Sequence, residues 1–244
     1  MATDAFGFRG TAQPTSGSSP FNEQSFIVWS ILRQIAGARL VQVKAVTNSG
    51  GVAPVGFVDV VPLVNQLDGS DNAMPHGIIH NLPYFRLQGG ANAVIIDPQV
   101  GDIGVAIVED RDISSVKANR GPANPGSKRI FDMADGLYIG GFLNGVPSQY
   151  VQFSAAGITV SSPTKVTIVA PNVEIDASAA CAINSPTITL NGTLSQGGGS
   201  YAGTSTFNGN VATNGTLTNN GKNVGSTHTH SGVQTGSGNT GAPN

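Results

Sequence analysis

The sequence predicts a mainly β protein in which an N-terminal helix and a small β-barrel precede a fibre built from short β-repeats. Three observations lead to this fold class. Apolar residues recur at near-helical spacing close to the N-terminus. Short runs rich in β-branched residues, separated by Gly, Pro, Asn and Asp, then fill residues 39–110. After Val146, pairs of apolar residues recur every seven or eight positions and charge almost disappears.

A flexible arm and a helix are predicted before the first strand. Residues 1–21 are rich in Gly, Ser, Thr and Pro and are interpreted as the arm. In the segment that follows, Asn22 is a suitable N-cap, Glu23 favours the positive start of a helix, and Gly37 is a suitable stop. The helix has one apolar face, which we expect to pack in the core: Phe26, Trp29, Leu32 and Ile35.

Five predicted strands share one domain, residues 22–115, with this helix. They are residues 39–47, 55–63, 83–88, 92–97 and 103–110. Five short strands in roughly 70 residues favour a small barrel. The next segment, residues 116–145, is rich in Gly, Pro and Asn and is predicted to be a linker.

The repeats belong to the last predicted domain, residues 146–244. Apolar and polar side chains alternate within each repeat, so one face of a short strand is apolar. The apolar pairs are Ile158/Val160, Val166/Ile168, Val173/Ile175, Cys181/Ile183 and Ile188/Leu190. One such repeat buries too little to offset the entropy of ordering it. Either one chain coils into a β-solenoid or several chains wind around one axis, where three chains would triple the core at each level.

Composition excludes several classes of protein. The 244 residues, of which 39% are hydrophobic, are enough for one large or two small domains with a core. A net charge of -2 provides no basic surface for nucleic acid. The single cysteine, Cys181, excludes an intrachain disulfide framework, and we expect it to be buried. The apolar run at residues 26–32 is too short to span a bilayer and no signal peptide is evident, so we expect a soluble protein made in the cytoplasm.

Motifs of catalysis are weak in this sequence. The stretch GSGNTG at residues 236–241 fits a dinucleotide-binding pattern, but it lacks the preceding strand and following helix that such a site needs. His76 and His80 lack a metalloprotease Glu between them and are interpreted as loop or strand-edge residues. The charges at residues 109–113 are interpreted as solvated. We therefore expect no enzymatic activity.

A His-Thr-His sequence near the C-terminus is the candidate metal motif. In a strand His228 and His230 would leave the same face. Two nitrogens do not complete a metal site, and no Cys, Asp or Glu follows Lys222 to supply further ligands. Either the pair is idle or other chains complete the site.

The order of these segments resembles the central membrane-piercing spike proteins of contractile-tailed bacteriophages. The stretch DPQVGDIGVAIVEDRDI is similar to the end of their OB-fold domain. The stretches SPTKVTIVAPNVEID and SPTITLNG are similar to their triple-stranded β-helix repeats, and HTHSG is similar to their metal-binding tip. The resemblance covers residues 22–244.

The resemblance implies an OB-fold platform followed by a homotrimeric, intertwined triple-stranded β-helix needle. It implies that His228 and His230 of three chains hold one Fe(II) ion per trimer at the tip. Six imidazoles alone also admit cobalt or nickel, so iron rests on the resemblance. The axial core of the trimer would be formed by Ile158, Val160, Val166, Ile168, Val173, Ile175, Ile183, Ile188 and Leu190.

The implied function is that of a non-enzymatic spike at the tip of the tail baseplate of the virion, which pierces the outer membrane of the host bacterium when the tail contracts. The implied partners are two further copies of the chain, a baseplate hub protein bound by the OB-fold and, transiently, the outer membrane. No nucleic acid partner is expected.

Two alternatives to a piercing spike are kept. OB-folds bind oligonucleotides and sugars, so the chain could be a receptor-binding or adhesin module on a fibrous trimeric stalk. Exposed aromatic side chains on the barrel would favour this alternative. An enzyme that activates water with a histidine-bound metal would need an open coordination position and a nearby acid or base, and the sequence around His228 suggests neither.

Overall fold

The computed structural model of the chain describes residues 11–197, 199–201, 203–229, 231–232, 234 and 236. The protein is mainly β with few helices. In chain order its elements are α1 (Pro20–Leu32), β1 (Arg39–Val46), β2 (Phe57–Pro62), β3 (Gln66–Leu67), β4 (Ala73–Met74), β5 (Ile79–Pro83), β6 (Leu87–Gly89), β7 (Asn92–Val94), β8 (Ile103–Val108), α2 (Ser114–Asn119), a 3-10 turn (Met133–Asp135), β9 (Gly136–Gly140), β10 (Tyr150–Ser154), β11 (Gly157–Ser161), β12 (Thr218–Asn219) and β13 (Lys222–Asn223).

Contacts within the chain divide it into two compact units, one that ends at Val169 and one that begins at Ala170. The predicted domain bounds, residues 1–21, 22–115, 116–145 and 146–244, stay a prediction. None of the helices in the described residues has the length and apolarity that crossing a membrane requires.

A five-stranded antiparallel sheet, in the order β5-β2-β1-β8-β9, curls into a half-barrel. Its two edge strands approach each other at one point. There Tyr84, just after β5, forms a parallel bridge with Tyr138 of β9, and the Phe85 N–H donates to the Tyr138 carbonyl oxygen at 2.7 Å. These contacts draw the edges together, so the sheet wraps around its apolar face instead of lying flat.

The core of the half-barrel follows the two-residue period of its strands. Val41 and Val43 of β1 and Val58 and Val60 of β2 are buried, whereas their neighbours along each strand are at least partly exposed. The remaining buried residues of this cluster are Leu82, Tyr84, Ala106 and Tyr138. The alternation expected for β1 from the sequence is therefore present.

The Tyr138 ring packs on a glycine pair that joins β8 to β9. Gly104 and Gly140 face each other in the register, and a Cβ at Gly104 would overlap the ring and the Ile139 carbonyl oxygen. Burial, together with the nearby charge of Asp102, raises the pKa of Tyr138 to about 12. The Tyr138 ring can therefore pack against the backbone of the sheet only because Gly104 and Gly140 have no side chains.

Helix α1 begins earlier than predicted and is not part of the core. Ser19, not Asn22, is the N-cap: its Oγ accepts from the Asn22 N–H at 3.2 Å. Pro20 fits the first turn because the N–H it lacks would have no helical partner. The helix ends at Leu32, and the apolar face predicted to be buried is not, since no residue of α1 is buried.

The segment predicted as a linker contributes to the sheet. Strand β9 lies within residues 116–145 and pairs with β8 along its whole length. The predicted strand at residues 83–88 is instead split between β5 and β6, and that at 92–97 is limited to β7. Cys181, expected to be buried, is exposed in the single chain.

One aspartate of the predicted solvated cluster at residues 109–113 is buried. Asp112 accepts from Arg129 Nη2 at 3.0 Å, and Arg129 also pairs with the fully buried Asp135 at 2.6 Å. Hydrogen bonds from Ser114 and Ser127, with the Arg129 charge, lower the pKa of Asp112 to about 2. The interpretation of Asp112 as solvated was wrong because its partner lies 17 residues further along the chain.

A second buried ion pair ties three loops of the half-barrel together. Arg86 Nη2 lies 2.6 Å from Asp97 Oδ1, and each of the two side chains is 3% exposed. Asp97 also accepts from the Tyr84 hydroxyl at 2.6 Å and from the Gly50 N–H at 2.9 Å. Arg86 Nη1 donates to the Ala53 carbonyl oxygen at 2.6 Å. The pair joins the β1–β2 loop to the segments that follow β5 and β7.

Candidate assembly interface and tip

The β10–β11 hairpin carries the first predicted core pair on an open apolar face. In its register Val151 faces Val160 and Phe153 faces Ile158. Residues directly opposite each other project from the same side of an antiparallel pair, so these four side chains form one face. All four are exposed in the single chain. The hairpin therefore presents an apolar strip that its own unit leaves uncovered.

The other predicted core residues are also exposed. The nine side chains assigned to the trimer axis are each between 54% and 73% exposed in the single chain: Ile158, Val160, Val166, Ile168, Val173, Ile175, Ile183, Ile188 and Leu190. Soluble proteins do not usually leave such a long series of β-branched and leucine side chains in water. In the single chain these apolar side chains are therefore not packed into a core.

The backbone of the repeat segment has few partners within the chain. Among the described residues of 163–216 there is no helix or strand, and no backbone N–H donates to a backbone carbonyl. Backbone groups that become buried need hydrogen-bond partners. A packed fibre made from this segment would have to obtain those partners from other chains or from a rearranged chain.

A short hairpin precedes the candidate tip. Strands β12 and β13 are joined by Asn220 and Gly221, which have φ values of 50° and 77°. Positive φ at both central residues is typical of the two-residue turns that Asn-Gly favours in hairpins. The hairpin is extended by the Val224 N–H, which donates to the Leu217 carbonyl oxygen at 2.8 Å. The Asn-Gly turn therefore determines the direction of the chain just before His228.

His228 is held by a turn that begins at the hairpin. Its N–H donates to the Gly225 carbonyl oxygen at 3.1 Å, and its Nδ1 lies 2.6 Å from the same oxygen. The Gly225 N–H donates in turn to Asn223 Oδ1 at 2.9 Å. A carbonyl oxygen can only accept, so Nδ1 carries the proton and Nε2 has the lone pair of the neutral ring.

This arrangement fits a metal-ligating histidine. Such histidines commonly donate their other ring N–H to a backbone carbonyl, which orients the ring and selects the tautomer. His228 is exposed, and His230, its predicted companion, lies outside the described residues. In the part of the chain that the structure describes, no three His, Cys, Asp or Glu side chains come together as a metal site. One chain supplies a suitable ligand but not a ligand set.

The two histidines of HGIIH lie in β5 and in the loop before it. His80 lies in β5, an edge strand, and its Nδ1 is 2.7 Å from Asp59 Oδ2. Burial opposes ionisation of Asp59, but hydrogen bonds from the Asn81 N–H and His80 outweigh it and lower the pKa of Asp59. His76 lies in the loop before β5. The loop and strand-edge interpretation of both histidines agrees with the structure.

Comparison with known families identifies the C-terminal segment. Residues 226–244 match the family described as the GpV Apex motif, the tip motif of phage baseplate spike proteins. The match contains both His228 and His230. No curated protein sequence matches the chain. The resemblance stated from the sequence is therefore confirmed at the tip, and the match indicates a component of a phage baseplate tip.

Proposed function

We propose that three copies of this chain form a non-enzymatic spike at the tip of a contractile phage tail, which pierces the bacterial outer membrane. The observation that carries the proposal is the match of residues 226–244 to a spike tip motif. The exposed repeat supports it independently, because the motif follows a segment whose apolar side chains are exposed and whose described residues, 163–216, make no backbone–backbone hydrogen bonds within the chain.

Burial of the repeat would drive assembly of the trimer. Each axial Val, Ile or Leu would gain about 1.5–3 kcal/mol on full burial relative to remaining in water. The segment 163–216 would acquire its backbone hydrogen bonds from neighbouring strands in an intertwined triple-stranded β-helix. In this assembly both gains would come from the other chains, so folding of the needle and trimerisation would be one process.

The half-barrel would be an OB-fold and serve as the platform that binds the baseplate hub. Five antiparallel strands that curl until their edges meet at Tyr84 and Tyr138 suit a small, partly open barrel. The buried Arg86–Asp97 pair, and the pairs of the partly exposed Arg129 with buried aspartates, fix the loops that surround it. A rigid platform suits a part that transmits force from the tail to the needle.

At the tip, His228 and His230 of three chains would hold one Fe(II) ion per trimer. With Nδ1 of His228 2.6 Å from the Gly225 carbonyl oxygen, Nε2 would be the nitrogen that ligates the ion. When bound, the ion would cross-link the three chains. Large apolar residues are sparse in the segment before the tip, where only Phe207, Val211, Leu217 and Val224 remain after Tyr201. Coordination would replace the hydrophobic core where that core is thin.

The composition of the needle suits passage through lipid. After Val146 the chain has only four charged residues of the Lys, Arg, Asp and Glu types: Lys165, Glu174, Asp176 and Lys222. Charged side chains are expensive in the bilayer interior, so their scarcity lowers the cost of insertion.

One preparation of the full chain can test this proposal. Sedimentation equilibrium should give the mass of a trimer, and metal analysis of the same sample, purified without chelator, should give one iron per three chains. A folded monomer would contradict the intertwined needle. A trimer without metal, or with one ion per chain, would contradict the tip site and leave the needle intact. Hydrolysis of glycan, lipid or phosphoester that is lost in His228→Ala would contradict the non-enzymatic role.

A receptor-binding module is the second candidate, favoured by exposed aromatic side chains in the N-terminal unit. Phe85 is 62% exposed and Phe142 is 45% exposed. Aromatic faces on an OB-fold can stack with sugars or bases. Binding of the purified protein to host surface polysaccharide, lost in Phe85→Ala, would support this candidate. Absence of binding by the unaltered protein would contradict the candidate, and binding retained in Phe85→Ala would exclude Phe85 from the site.

A further inference from the structure

The turn that leads to His228 is held by the side chain of Asn223, the last residue of β13. Asn223 Oδ1 accepts from the Gly225 N–H at 2.9 Å, and Asn223 Nδ2 donates to Thr227 Oγ1 at 2.9 Å. The first bond is the one that Asn commonly forms with the backbone N–H two residues further along the chain. The second reaches the residue directly before His228. One side chain therefore joins the start of the turn to its end.

The same turn orients the ring of His228. The Gly225 carbonyl oxygen accepts from the His228 N–H at 3.1 Å and lies 2.6 Å from Nδ1 of the ring. Such a contact to a backbone carbonyl selects which ring nitrogen carries the proton. Asn223 holds Gly225 on one side of the ring and Thr227 on the other. Any effect of Asn223 on the ring therefore passes through these two residues.

Gly225 permits this arrangement but does not stabilise it. A Cβ at this position would lie 3.2 Å from Asn223 Oδ1, closer than most contacts of a Cβ atom, so the amide approaches the backbone where only glycine fits well. Glycine also loses more conformational freedom on folding than any other residue. Without the two bonds from Asn223, the backbone at Gly225 would sample several conformations, and its carbonyl oxygen would not stay beside the His228 ring.

The hairpin before the turn is closed by other groups. Asn220 and Gly221 form its turn with positive φ values, and the Val224 N–H donates to the Leu217 carbonyl oxygen. The amide of Asn223 is therefore not needed to form the hairpin. Asparagine suits its position because one amide group carries both an acceptor for the Gly225 N–H and a donor for a hydroxyl oxygen.

We propose that Asn223, anchored by Thr227, is a positioning residue of the tip. It holds the Gly225 carbonyl oxygen beside His228 Nδ1 and so selects Nε2 as the ligating nitrogen before the ion binds. The inference rests on the proposed metal site. The family match begins at residue 226, so Asn223 and Gly225 lie before it. Pre-organisation of this kind strengthens binding, because the ring does not have to be ordered when the ion arrives.

The rate at which the full-chain trimer releases its metal to a chelator tests the role of Asn223. Asn223→Ala should release the ion about tenfold faster or more, because losing a group that orients a ligating histidine typically costs about 10–100-fold in metal affinity. Asn219→Ala is the matched control. Asn219 lies in the same hairpin, and its side chain has no hydrogen bond to any of the residues that the structure describes.

Nitrogen NMR of the metal-free trimer separates positioning from a general loss of stability. The His228 signals are identified by their absence in His228→Ala, at a pH where imidazole is neutral. They should show the proton on Nδ1 in the unaltered protein. Asn223→Asp should keep this tautomer, because a carboxylate accepts from both the Gly225 N–H and the Thr227 hydroxyl. Asn223→Ala should show exchange between the two tautomers.

The outcomes separate this inference from the proposed metal site. Equal rates of release from Asn223→Ala and Asn219→Ala, in trimers that each hold one ion, would overturn the positioning role and leave the site standing. An unaltered trimer that binds no metal would overturn both. If Asn223→Ala fails to assemble, Thr227→Val takes its place, because it removes only the hydroxyl that anchors the amide. An unchanged rate and tautomer in Thr227→Val would then overturn the positioning role.

Discussion

Replacing Arg86 by Met removes the cation from the buried ion pair that holds three loops of the half-barrel. The carboxylate of Asp97 would keep its hydrogen bonds from Tyr84 and Gly50 but lose the guanidinium at 2.6 Å. Since both side chains are 3% exposed, water cannot replace the lost charge. The Ala53 carbonyl oxygen would also lose its donor.

The expected cost is about 3–5 kcal/mol, the typical loss when one partner of a buried ion pair is removed. Single domains are stable by about 5–15 kcal/mol, so the variant loses a large part of the stability of the half-barrel. For a unit of this size a loss of 3 kcal/mol lowers the unfolding midpoint by about 10 °C. Replacing both partners, as Arg86→Met with Asp97→Leu, should recover much of the loss because no buried charge is left alone.

The pH dependence of unfolding gives a second measure of the same pair. Burial opposes ionisation of Asp97, but the hydrogen bonds from Tyr84, Arg86 and Gly50 outweigh it, so the pKa of Asp97 is lowered. A lowered pKa contributes stability that is present above the unfolded-state pKa of about 3.9 and is lost as the pH falls below it. Arg86→Met should weaken this acid-dependent contribution, because the cation no longer favours the charged form.

Calorimetry of the full chain, with hydrogen exchange of peptides from β1 and β2, measures the effect. Arg111→Met is the matched control, because Arg111 and Asp110 are 3.8 Å apart and 63% and 65% exposed. Loss of such a surface pair costs about 1 kcal/mol or less. If Arg86→Met lowers the midpoint no more than Arg111→Met does, the buried pair does not hold the half-barrel together.

Three further changes test the sheet, the needle and the tip. Gly104→Ala should cost about 1–3 kcal/mol in calorimetry by overlap with the ring packed on it; an effect equal to that of Gly89→Ala, which has open space, would contradict the packing. Ile168→Asp should prevent trimer formation in sedimentation by placing charge at the axis, whereas Thr167→Asp should not; equal behaviour would exclude the predicted facing. His228→Ala should lose the single metal ion of each trimer while the trimer persists, and unchanged metal content would remove His228 from the site.

The strands with regular alternation were predicted well from the sequence. Strands β1, β2 and β8 lie within the predicted runs because each has β-branched residues at a two-residue period. Strand β9 was missed because it is five residues long, contains Gly at both ends and follows a segment rich in Gly and Pro. It forms because it pairs with β8. Pairing with a strand that is distant in the sequence leaves no hydrophobic pattern in the local sequence.

The start of α1 shows how two suitable signals compete. Asn22 and Ser19 are both suitable N-caps by residue type, and only Asn22, with the acidic Glu23 after it, was considered from the sequence. The helix begins at Pro20, which accepts the first turn, and Glu23 still lies in that turn. Both caps satisfy local chemistry, so the choice between them depended on contacts outside the helix, such as that between Asn22 and Thr15.

At the candidate site, the sequence by itself determined the period of the apolar repeat and the tip motif at residues 226–244. Both depend only on the order and spacing of residues along one chain. Only the tertiary structure decided the strand order of the half-barrel, the burial of Asp112 against Arg129, and the ring nitrogen of His228 that donates to Gly225. These features depend on which groups come into contact after folding. The pKa of a carboxyl group and the protonation of a ring nitrogen are set by those neighbours.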